Sequence, residues 1–247
     1  MGAFLQAVAF LTRLPIPRYP FAAADWPKSA VYYPVVGALL GLLLWGVSQL
    51  SAWLLTDLLA AVLTLVFWIY ITGGLHLDGW MDLADGIGSS RPREQALAIM
   101  KDSRVGAMGV LAACSLLATK GAAVYELCSL HGQFSLVFVP LVARTHLLVA
   151  IRCWPYLSGS GSGSGLRDGL SIGYLLFAGA AVLAVCWWLG GYPLLFVFFL
   201  TLLYSLGFSG YLRKRLGGYT GDGYGSLIES TETLALLLLV AFAQGAG

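Results

Sequence analysis

Residues 57–86 read DLLAAVLTLVFWIYITGGLHLDGWMDLADG, and the change of character at Gly73 decides the fold class. The apolar stretch 54–73 that ends there has the roughly 20 residues a helix needs to cross the hydrocarbon core of a bilayer. Immediately beyond it the chain carries Asp78, Asp82 and Asp85. An apolar run that opens straight into clustered like charges reads as a membrane helix emerging into water.

The rest of the chain repeats the first half of that pattern. Of 247 residues 59% are hydrophobic and 11% charged, with a mean hydropathy of +0.82, whereas soluble domains carry about a quarter charged residues. Apolar runs near 31–50, 54–73, 105–126, 134–151, 170–189, 192–210 and 231–246 predict about seven spans. Alternating sides puts 12 of the 14 Lys and Arg residues in segments 1–30, 73–104, 152–169 and 210–230, and none in the opposite loops. By the positive-inside rule the basic side is cytoplasmic, with the N-terminus in and the C-terminus out. The expected fold is therefore all-α, a polytopic membrane helix bundle forming one catalytic domain over 1–247. Met1 to Leu14 carries Arg13 after its apolar stretch and no charge before it, so it reads as an interfacial amphipathic helix rather than a cleaved signal. The four cysteines show no CxxC pairing and read as packing residues. A net charge of +2 argues for no nucleic-acid partner. No internal repeat supports a transporter of inverted halves, and the run SGSGSGSG at 158–165 reads as a flexible linker. The oligomeric state is left open, a homo-oligomer included.

Three polar segments, all predicted on the cytoplasmic side, hold the candidate chemistry. On a helix Asp78, Asp82 and Asp85 fall at i, i+4 and i+7 and share one face. Stacked carboxylates suit a hard cation such as Mg²⁺ or Mn²⁺, and Gly79 and Gly86 would let substrate phosphates approach the backbone. His76 is readable as a general base, a hydrogen-bond donor or a packing residue. Lys101 and Arg104, with Asp102 beside them, could meet an anionic group or simply flank a span. Asp222, in the glycine-rich turn 217–225, could bring a fourth oxygen to a metal. Glu229 and Glu232 read as interfacial or as holders of a substrate amine. The triplet Arg213-Lys214-Arg215 reads as a headgroup anchor. Within the spans, Lys120, Arg144 and His146 would line a cavity or pair with one another, and Arg144 is the candidate to grip phosphate.

The segments GGLHLDGWMDLADG (73–86), IMKDSRVGAMG (99–109) and GYTGDGYG (218–225), together with FLTRLPIP (10–17) and YYPVVGALLG (32–41), resemble the cobalamin synthase family, the adenosylcobinamide-GDP ribazoletransferases of bacterial inner membranes. Trp80, Met81 and the run 158–165 depart from that pattern. The resemblance implies a Mg²⁺-dependent transfer that joins α-ribazole, or its 5′-phosphate, to adenosylcobinamide-GDP, releases GMP, and completes adenosylcobalamin or its 5′-phosphate. It implies metal ligation by Asp78, Asp82 and Asp85. Lys101, Arg104 and Arg144 would stabilise phosphate oxygens, and His76 or an aspartate would accept the nucleophile's proton.

Two other readings compete. In a CDP-alcohol phosphotransferase, clustered aspartates also hold metal over a nucleotide diphosphate. Asp82-Leu83-Ala84-Asp85-Gly86 begins like that family's motif, but its Ala-Arg step and second aspartate pair are missing after Gly86. A metal or solute transporter would favour carboxylates at the midplane of several spans, whereas here most acids border the cytoplasm.

Overall fold

The structure, a computed structural model, describes residues 1–17, 19–158 and 161–245. Arg18, two residues of the glycine–serine run (Gly159 and Ser160), and Ala246 and Gly247 at the end of the last expected span lie outside the described residues. Among those described there is no strand, only an isolated bridge between Tyr156 and Tyr219. The helices are α1 (Gly2–Leu11), α2 (Asp25–Ser29), α3 (Tyr33–Leu54), α4 (Asp57–Thr72), α5 (Leu75–Gly88), α6 (Arg93–Ile99), α7 (Ala107–Ser129), α8 (Phe138–Cys153), α9 (Ile172–Leu216) and α10 (Gly221–Gly245).

Local chemistry sets the boundaries that matter for the site. Thr56 caps α4 by accepting from the Leu59 N–H at 3.4 Å, and Asp57 in the first turn complements the helix dipole. The helix stops because Gly73 and Gly74 both adopt left-handed backbone, with φ of 66° and 69°. Two such residues in succession turn the chain by 87° into α5, so the aspartate helix leaves the line of the span before it.

The core is built in two layers. A near layer joins Leu11 of α1, Leu83 of α5, Leu147 and Ile151 of α8, and Leu227 of α10. A far layer joins Leu44 of α3, Trp68 of α4, Leu127 of α7 and Leu236 of α10. Helix α9 has 45 residues, about twice the length that spans a bilayer, and Gly191 (φ 61°, ψ −147°) followed by Pro193 divides it. Its two limbs run in opposite directions. Ala178 in the first limb and Leu212 and Leu216 in the second lie in the near layer, while Cys186 and Leu194 on either side of the break lie in the far one. Helices α3, α8, α9 and α10 contribute to both layers, whereas the core residues of α4 and α7 belong to the far layer alone. By length and hydropathy alone five helices qualify as spans, or six when the bent α4–α5 pair counts as one, because α4 has only 16 residues and α9 counts once.

The outer surface is that of a multi-pass membrane protein. Leu58, Val66, Phe177 and Leu203 are exposed on the outer faces, and Trp53, Trp188 and Tyr192, which are 81%, 83% and 73% exposed, stand at the far-layer turns, where aromatic rings favour a lipid–water boundary. Helix α1 is more than a raft on that boundary. Its Ala3, Ala7, Val8 and Leu11 face is buried, and Phe10 meets Trp26 of α2 edge-on at 5.1 Å.

Candidate active site

The site forms where α5 crosses the start of α10. At the crossing a Cβ on Gly79 would stand 2.8 Å from Asp222 Cα, and one on Gly225 would stand 3.1 Å from His76 Cα. Small residues therefore let the two backbones touch, as at close crossings in membranes. The Ser226 hydroxyl bridges the helices, 2.9 Å from the Gly79 carbonyl and 2.7 Å from that of Asp222. Thr220 caps α10 by accepting from the Gly223 N–H at 3.1 Å.

This crossing gathers carboxylates from both helices. Asp78 and Asp222 line one pocket with about 530 Å³ of empty space, whose other walls include Phe10, Tyr33, His76 and Ile151. Asp82 lies one turn along α5. Burial, and then the charges of Asp78, Asp222 and Asp85, push its pKa up to about 6, the signature of negative charge that no protein cation offsets. Among the described residues no three His, Cys, Asp or Glu side chains stand close enough to enclose an ion by themselves. Mg²⁺ commonly binds through one or two carboxylates and takes its other ligands from water and substrate phosphates, so this donor set fits a cation shared with a phosphorylated substrate.

Several expected residues take other posts. Both oxygens of Asp85 accept backbone N–H bonds, from Gly106 at 2.7 Å and Gly109 at 2.8 Å, so it fastens the start of α7 to α5. Gly79 and Gly86 do not face open space. Asp222 covers the first, and Met100 with the Ala96 carbonyl covers the second, so their smallness serves helix packing rather than phosphate approach. Lys101 and Arg104 lie exposed in the loop that leads to Gly106, and Arg104 pairs with Asp102 at 2.6 Å, holding that carboxyl at about 2. Arg144 is not brought to the pocket. It is fully buried and ion-paired with Glu232. Lys120 lies between Glu229 at 2.5 Å and Glu232 at 2.6 Å and sits 4.6 Å over the Trp68 ring, so the amine these glutamates hold is the protein's own. His146 meets the Phe198 carbonyl and the Thr201 hydroxyl at 3.2 and 3.0 Å. His76 is buried, its Nδ1 lacks a hydrogen-bond partner, and burial pushes its pKa down to about 3. That makes it a neutral imidazole and a weak base.

The structure adds Arg13. On the other side of Asp78 an open groove runs past Thr12, Arg13, Gly73 and Gly74. The Arg13 N–H donates to the Ile71 carbonyl at 2.6 Å, and its guanidinium lies over Gly73, where a Cβ would come within 2.3 Å of Nε. In the sequence its signal was only a cation ahead of Pro15. The contact across the α4–α5 bend brings it to the site.

Comparison with known proteins decides the family. The family model for cobalamin-5-phosphate synthase matches residues 3–240. The chain belongs to the cobalamin-5-phosphate synthase family. Among relatives of this family, a protein of Brevibacillus brevis named adenosylcobinamide-GDP ribazoletransferase is 53% identical over 97% of this chain and 98% of its own length. Proteins of the same name from Thermosynechococcus vestitus and Desulforamulus reducens are 41% and 39% identical, over 98% and 95% of this chain and 96% and 94% of their own lengths. No solved structure matches the chain. The near-complete coverage places both the α5 aspartates and the Asp222 turn inside the shared family sequence.

Proposed function

We propose that this chain is an adenosylcobinamide-GDP ribazoletransferase, a multi-pass enzyme of the bacterial inner membrane with its site on the cytoplasmic face. The observation that carries the reading is the meeting of Asp78 on α5 with Asp222 on α10 at the mouth of one pocket, with Asp82, whose pKa burial and their charges raise, one turn along α5. The seven apolar stretches of the sequence, with 12 of the 14 Lys and Arg residues in the segments on one side of them, support seven spans, N-terminus in and C-terminus out.

In the proposed reaction a hydroxyl oxygen of α-ribazole, or of its 5′-phosphate, attacks the phosphorus nearer the cobinamide in adenosylcobinamide-GDP. A new O–P bond forms, the P–O bond to GMP breaks, and the hydroxyl proton passes to a carboxylate of the cluster. One or two of the carboxylates Asp78, Asp82 and Asp222 would hold Mg²⁺, with water and the diphosphate as its other ligands and the diphosphate sharing its charge. Asp85 keeps the α7 loop in register. Arg13 in the groove and Lys101 and Arg104 at the loop are the cations available to phosphate oxygens. A transporter is disfavoured because the carboxylate cluster gathers at one end of the bundle. In nanodiscs the purified chain is expected to release GMP from adenosylcobinamide-GDP only when α-ribazole and Mg²⁺ are both present, with one corrinoid product per GMP. A folded sample that makes no GMP with both present would sink the assignment.

A further inference from the structure

We infer that the enclosed pocket beside Asp78 seats the benzimidazole base of the acceptor, with His76 as the hydrogen-bond partner of its one free ring nitrogen. The inference rests on the phosphotransfer reading above and adds which substrate part goes where. The pocket and the groove share Phe10, Leu75 and Asp78, so Asp78 divides two compartments of unlike character. The groove has Arg13 and the backbone of Gly73 and Gly74, the chemistry of a phosphate track. The pocket is walled by Leu11, Leu147, Ile151 and Ile228, with Tyr33 and Phe10 stacked at 6.4 Å, the chemistry of a flat apolar ring.

The polar inventory narrows the occupant. Asp78 is exposed and Asp222 half-buried, so these carboxylates mark the mouth, while His76, 3% exposed, belongs to the interior with its Nδ1 unpartnered. A dimethylbenzimidazole nucleoside presents an apolar edge and one ring nitrogen that accepts a hydrogen bond. Two wall atoms lack a hydrogen-bond partner, His76 Nδ1 and Tyr33 Oη, and the ring nitrogen is assigned to the imidazole, which donates in its Nδ1–H tautomer. Guanine would bring an amine, a carbonyl and ring nitrogens into mainly apolar walls, and most would be buried without partners. A corrin macrocycle is too large for about 530 Å³. With the base inside, the ribose hydroxyls reach the mouth at Asp78 and Asp222, facing a diphosphate laid along the Arg13 groove.

The wall is firm enough to select. Tyr224, another wall residue, is stacked between Tyr219 at 4.7 Å and Tyr156 at 5.7 Å, so both its faces are occupied and it offers an edge. Ser162, from the described part of the glycine–serine run, closes over Gly221, where a Cβ would come within 2.6 Å of Ser162 Oγ.

The test uses the full chain in nanodiscs with three ligands: α-ribazole, its analogue with the free ring nitrogen replaced by CH, and adenosylcobinamide-GDP. Wild type is expected to bind α-ribazole about tenfold more tightly than the analogue. His76→Leu should bind both equally. Ile151→Trp, which fills the pocket, should weaken both by about 30-fold or more while adenosylcobinamide-GDP binds as before. Discrimination that survives His76→Leu, or an Ile151→Trp variant that loses the corrinoid donor and keeps α-ribazole, overturns the subsite. Should Ile151→Trp bind neither substrate, the His76→Leu comparison decides alone. Failure of wild type to bind α-ribazole or to release GMP would instead overturn the phosphotransfer reading, and the subsite with it.

Discussion

Asp82→Asn is expected to lower GMP release by about a thousandfold or more, the scale on which groups that stabilise developing charge act, while the protein still inserts and binds α-ribazole. The reason lies in the cluster it belongs to. Burial and the neighbouring charges of Asp78, Asp222 and Asp85 raise its pKa to about 6, so its ionised form is disfavoured until a cation arrives. The sign for stability follows. A carboxyl with folded pKa raised above its unfolded value contributes stability that is complete below pH 4 and is lost as the pH rises to about 6. Metal-free wild type should therefore melt at a lower temperature at pH 7.5 than at pH 5, and Mg²⁺ should reverse that fall. Asn at this position should flatten the pH dependence and raise the metal-free melting temperature at pH 7.5 while turnover is lost. An inactive variant that is also less stable at every pH would mark Asp82 as structural. Near-normal turnover would remove it from the site.

The second large effect is expected inside the bundle. Lys120, Arg144, Glu229 and Glu232 form a buried set of two charges of each sign, joined through Glu232. Glu232→Gln leaves two buried cations with one anion, and Arg144 loses the only ion-pair partner it has among the described residues. Removing one member of a buried pair costs about 3–5 kcal/mol, because the charge left behind is unpaired. The variant should unfold at markedly lower denaturant, and Arg144→Met should restore a large part of that loss when combined with it, since Lys120 keeps Glu229. A single-variant cost below about 1 kcal/mol, or a double variant that loses the sum of both singles, would contradict the network.

Much of this architecture is written locally. Apolar runs the width of a membrane mark the long helices, Gly73 and Gly74 mark the bend, and the i, i+4, i+7 spacing sets the aspartates on one face. The site's cast was less legible because burial and tertiary partners assign it. Asp85 looks like Asp78 in sequence, yet the start of α7 claims both its oxygens. Gly79 and Gly86 look like phosphate-binding glycines, yet protein covers both. Arg144 carries the charge a phosphate needs, yet Glu232 claims it, a pairing across 88 residues that no local pattern encodes. Arg13 carries no local signal, because only the α4–α5 bend brings it to the groove beside Asp78. Asp222 could be read in advance because a lone acid in a glycine-rich turn carries its own signal.

The carboxylates at the α5–α10 crossing are proposed to hold a divalent cation against the donor's diphosphate. Mn²⁺ in place of Mg²⁺ makes that contact visible by electron paramagnetic resonance with phosphorus ENDOR. In nanodiscs containing adenosylcobinamide-GDP, bound Mn²⁺ should show phosphorus coupling, and Asp78→Asn or Asp82→Asn should abolish it. Mn²⁺ that binds equally well and keeps its phosphorus coupling in both variants would place the metal away from this crossing.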